Sequence, residues 1–110
     1  MTVDSNNVLE MIDDYVTSNS EIIDSEYSKV ADNCRDKNSD YGLEIANIYK
    51  KFLEYDGYIF DDILRLWDTD DIHEEISLFQ NIFQSFHKIK EIVEKFKEVK
   101  QNFYMNEETI

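Results

Sequence analysis

Apolar residues recur at three- and four-residue intervals along nearly the whole chain, the spacing of one face of an α-helix. Val8, Ile12, Tyr15 and Val16 mark a first helix from about Ser5 to Thr17. Ser18-Asn19-Ser20-Glu21 then has the form of a capping box, in which Ser18 accepts from an open backbone N–H and Glu21 reaches back, so a second helix is expected to start there. Its stripe is Ile23, Tyr27, Val30, Ala31 and Cys34, and it ends in the polar stretch 35–39. Ser39 or Asp40 caps a third helix with Tyr41, Ile45, Ile48, Tyr49 and Phe52 on its apolar face. That helix is expected to stop near Asp56-Gly57, because glycine tolerates the left-handed conformation of a helix end. A short fourth helix buries Phe60, Ile63, Leu64 and Trp67 and turns Asp61, Asp62 and Arg65 outward.

After a break at Asp68-Thr69-Asp70-Asp71 comes the most regular pattern in the chain. Phe79, Phe86 and Val93 recur every seven residues, and Ile82, Ile89, Phe96 and Phe103 are interleaved with them at the other core position. The pattern predicts a long C-terminal helix over about residues 70–104, continuous or in two nearly collinear pieces, with Ser85 as its weak point and 105–110 as a frayed tail. Such a helix would measure ~50 Å, whereas a compact chain of this length has a radius of gyration of only ~13 Å. It must therefore break, project or pair with another chain. The expected fold is all-α: a four- to five-helix bundle with the C-terminal helix as its spine, forming one domain over 1–110.

Composition supports this reading. Proline is absent and the only glycines are Gly42 and Gly57, which leaves β-hairpins little turn chemistry. Hydrophobic residues make up 42%, with seven Phe and seven Tyr, enough to fill a core without disulfides or metals. The single cysteine, Cys34, has no intramolecular disulfide partner and is read as a small core residue. The acidic start lacks the basic and then apolar segments of a signal peptide, and the charge-free run from Ile76 to Phe86 is too short to span a bilayer. A cytoplasmic location follows as an expectation, in a bacterial cell or an infected host cell.

Charge changes the picture most. Twenty-five acids stand against 11 bases, a balance of −14. Residues 1–71 hold 18 acids and 6 bases, whereas residues 72–104 hold 5 of each, so the acidity belongs to the first two thirds of the chain. Such a charge repels nucleic-acid phosphates and anionic membranes and attracts basic surfaces.

No constellation for catalysis, cofactor binding or metal binding emerges. Counted from Asp68 as the first position of a calcium loop, the sixth position is His73 where glycine is needed and the twelfth is Phe79 where glutamate is needed. A di-iron site needs two carboxylate–histidine pairs at i, i+3; Asp70/His73 is one approximate case, and Gln84 stands three residues before His87. Neither histidine has a recognisable Ser or Cys partner, and adjacent carboxylates such as Asp13/Asp14 or Asp61/Asp62 point about 100° apart on a helix. An enzyme is not expected, nor a cofactor.

The remaining reading is a small acidic protein that binds and inhibits a basic protein, such as a nuclease or another nucleic-acid-binding protein. Carboxylates on a rigid helical surface can occupy a groove built for phosphates, with aromatic side chains as desolvated anchors. The candidate surface is Tyr58, Asp61, Asp62, Asp68, Asp70, Asp71, Glu74 and Glu75. Immunity proteins for nuclease toxins and phage-encoded inhibitors of host defence nucleases act this way, and the chain is similar to them in size, charge and helix content. Its wealth of Ile, Asn, Lys, Asp and Tyr, with only two alanines, looks like the product of an AT-rich bacterial, phage or viral gene. The alternative is a structural or assembly subunit that forms a homodimer through the stripe from Phe79 to Phe103.

Overall fold

The computed structural model describes residues 3–32 and 39–108. Among these the chain is all-α, as the periodicity predicts, but it forms three long helices in place of four or five: α1 (Val3–Asp32), α2 (Asp40–Asp68) and α3 (Ile72–Glu108). Two of the expected helix boundaries do not occur: Ser18 starts no second helix and Gly57 does not end one. Of the two forms expected for the C-terminal helix the continuous one is found, with no interruption at Ser85. Within α1 the Asn19 amide donates to the Tyr15 carbonyl one turn back, at 2.9 Å, so this side chain bonds inside the helix and caps no new one. Gly57 is helical and has no positive φ.

The physical reason is a seven-residue repeat in every helix. Leu9, Val16, Ile23 and Val30 in α1, and Ile45, Phe52, Ile59 and Leu66 in α2, are all buried at strict heptad spacing. In α3 Ile82, Ile89 and Phe96 do the same, joined by Leu78, Val93 and Val99. One continuous seam per helix favours one continuous helix, packed as in a coiled coil. Extending the repeat through Gly57 removes any independent choice of face beyond it. Phe60, Leu64 and Trp67, expected in the core, are therefore exposed, while Ile59 and Leu66 take the core positions and Ile63 packs at the edge.

The core otherwise follows the expected stripes. Ile12, Val16, Ile23, Val30, Tyr41, Ile45, Ile48 and Phe52 are buried, with Tyr15, Tyr27 and Tyr49 half-buried against them. Val8 and Ala31 are exposed instead, and Leu9 is buried. The core role expected of Cys34 lies outside the described residues. Of the expected frayed tail, α3 includes residues up to Glu108, and 109–110 lie outside the described residues.

Tyr41 lies against Glu26, Tyr49 against Asp24 and Asp56 near Asp13, which runs α2 antiparallel to α1. Tyr15 meets Phe86 edge to face at 5.3 Å, and Tyr104 meets Glu26, so α3 runs parallel to α1. α3 runs unbroken for ~55 Å beside two helices of ~45 Å each. The result is a rod of 58 × 21 × 17 Å with a radius of gyration of 17.0 Å. The α2–α3 interface is the most extensive and the α1–α3 interface the least.

Candidate functional site

The turn between α2 and α3 is built from capping chemistry. Thr69 leaves the helix in an extended conformation, and its Oγ1 accepts from the Asp71 N–H at 3.2 Å. Asp71 Oδ1 then accepts from the His73 N–H at 3.0 Å, and its carbonyl accepts from Glu75 N–H at 2.9 Å, which opens α3. Glu74 and Glu75 occupy the first turn of α3, where their charge suits the positive end of the helix dipole. Asp71 thus caps α3 through its side chain, and Glu75 is half-buried. Asp70, expected with His73 in that first helical turn, lies in the connection between the helices and is exposed.

On α2, Asp61 and Asp68 stand one heptad apart, about 10.5 Å along the same face, and both are exposed. Glu54 precedes them by another heptad, so the three carboxylates form a row that leads into Asp70. Asp62 departs from the outward orientation expected for it. It occupies a heptad position of the α2 seam and is half-buried, and burial, reinforced by Asp61 and opposed by Arg65, holds its pKa above the usual carboxylate value. Tyr58 is exposed, donates to Glu54 Oε1 at 2.9 Å and meets Tyr55 edge to face.

The eight expected residues therefore divide. Tyr58, Asp61 and Asp62 line a shallow cleft of about 300 Å³ with Arg65 of α2 and Asn81, Gln84 and Ser85 of α3. Asp68, Asp70, Asp71, Glu74 and Glu75 gather at the turn. Among the described residues none of these seven acids is held in an ion pair; the pairs His87–Glu91, Lys88–Glu91, Lys97–Glu94 and Lys100–Glu26 all involve α3.

Beside the carboxylate row lies a surface of residues that three- and four-residue spacing places in the core. Phe60 is 62% exposed, Leu64 46% and Trp67 66%, and Leu53 one heptad earlier is exposed as well. The signal for it was in the sequence: Ile45, Phe52, Ile59 and Leu66 form a heptad that places Phe60 and Trp67 one residue, or 100°, away from the seam.

Among the described residues no group of three or more His, Cys, Asp or Glu side chains gathers to hold a metal ion, and no helix is long and apolar enough to cross a membrane. His87 is exposed and sits 3.3 Å from Glu91 on its own helix. What the region offers is a fixed row of carboxylates next to exposed aromatic and aliphatic side chains. Comparison with protein-family models, with curated proteins and with solved structures gives no match for this chain.

Proposed function

We propose that the protein is a stoichiometric inhibitor that binds a basic protein, such as a nuclease or another nucleic-acid-binding protein, by presenting carboxylates where its partner expects phosphates. The observation that carries this reading is the exposure of Asp61, Asp68 and Asp70 on a helix and a capped turn, with no ion pair neutralising them among the described residues. Their fields add, and fixed charges steer a basic partner without a reorganisation cost. A bacterial immunity protein and an anti-defence protein of a phage both fit this role. A homodimer through the C-terminal stripe is the less favoured reading, because Ile82, Ile89, Val93 and Phe96 of that stripe are buried within the chain's own core and only Phe79, Phe86 and Phe103 are partly exposed.

The test uses the partner retained by the protein from a lysate of the native host. Capture should favour a basic nucleic-acid-binding protein, duplex DNA or RNA should compete with it, and association should slow steeply with added salt. The triple variant Asp61→Lys, Asp68→Lys, Asp70→Lys should lose the partner with its helical content intact. It spares Asp62 and Asp71, whose replacement would disturb the seam and the cap. Retention by the triple variant at every salt concentration sinks the proposal.

A further inference from the structure

We infer that the exposed stripe Leu53–Phe60–Leu64–Trp67 of α2 is the seat for a cationic amphipathic helix of the partner protein; this rests on the basic-partner reading and gives the contact its chemistry. The four side chains stand at i, i+7, i+11 and i+14, a straight line of about 21 Å along one helix face. This spacing matches the apolar face of a second helix laid alongside, which presents its own anchors at i, i+3 or i+4, and i+7. Trp and Phe are the side chains that supply most energy when such a contact closes over them.

Charge selects the occupant. On one side of the stripe runs the row Glu54, Asp61 and Asp68, each one position after a stripe residue. On the other side α1 brings Asp13 close enough to Asp56 to raise the pKa of the Asp56 carboxyl, whose larger cause is burial. The apolar line is thus edged by a row of exposed carboxylates on one flank and by the Asp13/Asp56 pair on the other. A second copy of this chain would bring acid to face acid at a net charge of −14 each, and an anionic membrane surface meets the same repulsion. A helix with apolar residues on one face and Lys or Arg along both margins satisfies the stripe and its edges together.

Trp67 is the chain's single tryptophan, so its fluorescence reports on the stripe directly. The probe is a synthetic Leu–Lys peptide of about 18 residues, five helical turns, with leucines on one face. Its controls are a scrambled peptide of the same composition and a Leu–Glu peptide with the same apolar face. The Leu–Lys peptide should shift Trp67 emission to the blue and saturate. The scrambled peptide should bind at least about tenfold more weakly, a difference of about 1.4 kcal/mol, and the Leu–Glu peptide should not bind. Phe60→Ser with Leu64→Ser should weaken the Leu–Lys peptide by a similar factor with unchanged circular dichroism. Equal binding of the scrambled peptide, or binding that persists in the double variant, overturns the docking stripe and leaves the basic-partner reading standing. Equal binding of the Leu–Glu peptide overturns the choice of a cationic occupant. Sedimentation that shows a stable dimer with Trp67 already shielded assigns the stripe to a second copy and also overturns the inference.

Discussion

Tyr104 donates its hydroxyl to Glu26 Oε1 at 2.9 Å, joining α3 to α1 across 78 residues of chain. Tyr41 of α2 donates to the same oxygen at 2.8 Å, so one carboxylate ties all three helices together. Glu26 is 4% exposed, and it occupies a heptad position of α1 between Ile23 and Val30, where an apolar residue is the rule. Its other oxygen faces Lys100 Nζ at 3.9 Å. Burial and the bond to Glu26 raise the Tyr104 pKa, while Lys29 opposes them. Glu26→Ala removes the shared acceptor and should cost on the order of 1.5–3 kcal/mol, the range for hydrogen bonds to a charged group. Glu26→Gln keeps an acceptor oxygen and should cost less. Urea unfolding of both variants gives the comparison, and a larger loss in the Gln variant would contradict the assignment.

Gly57 sits in the middle of α2, exposed, and a Cβ added there meets nothing within 4 Å. Gly57→Ala should therefore stabilise the protein by about 1 kcal/mol, the difference between the two residues in a helix interior. For a chain of this size the melting temperature should rise by about 4 °C. A loss of stability would mean that α2 needs the glycine's freedom at this point.

Two apolar residues of similar appearance in the sequence should behave differently. Ile89 is wholly buried, and Ile89→Ala should cost about 2–5 kcal/mol through lost contact and the cavity left behind. Trp67→Ala should stay within about 0.5 kcal/mol of the parent, as surface replacements do, because two thirds of the Trp67 side chain faces solvent. Thermal unfolding of the two variants measures both, and a Trp67 loss as large as that of Ile89 would place it in the core.

Asp56 carries a raised pKa, chiefly from burial and secondarily from Asp13. The folded state accordingly binds its proton at a higher pH than the unfolded chain does. The ionised carboxylate opposes folding above the folded-state pKa, and this burden lifts as pH falls through that value towards the ordinary one. Asp56→Asn should stabilise the protein near pH 7 and show no such gain near pH 3, where both states are protonated. Carboxyl NMR titration should place Asp56 above the usual range, and Asp13→Asn should bring it partly back. A gain that is constant with pH would point to a packing effect of the amide instead.

Residue pattern alone was enough to show that the described chain is helical, where α2 begins, where α2 gives way to α3, and that Ile82, Ile89, Val93 and Phe96 form the buried part of the α3 seam. Those features are local: Ser39 Oγ accepts from the Gly42 N–H at 3.1 Å, and Thr69 with Asp71 caps the turn. It also located the excess of acid and the cluster around Asp61 to Glu75, since charge is additive and needs no fold to be counted. Tertiary structure decided the number of helices. A capping box at Ser18 and a glycine at 57 are permitted helix ends, and they become ends only if packing stops there; the heptads Leu9–Val30 and Ile45–Leu66 carry both helices past them. These heptads were present in the sequence, yet a three- and four-residue stripe restarted after Gly57 fits Phe60, Leu64 and Trp67 just as well as Ile59 and Leu66. Only neighbouring helices select between faces 100° apart. That selection buried Ile59 and Leu66, half-buried Asp62, and turned Phe60, Leu64 and Trp67 to solvent beside the carboxylates.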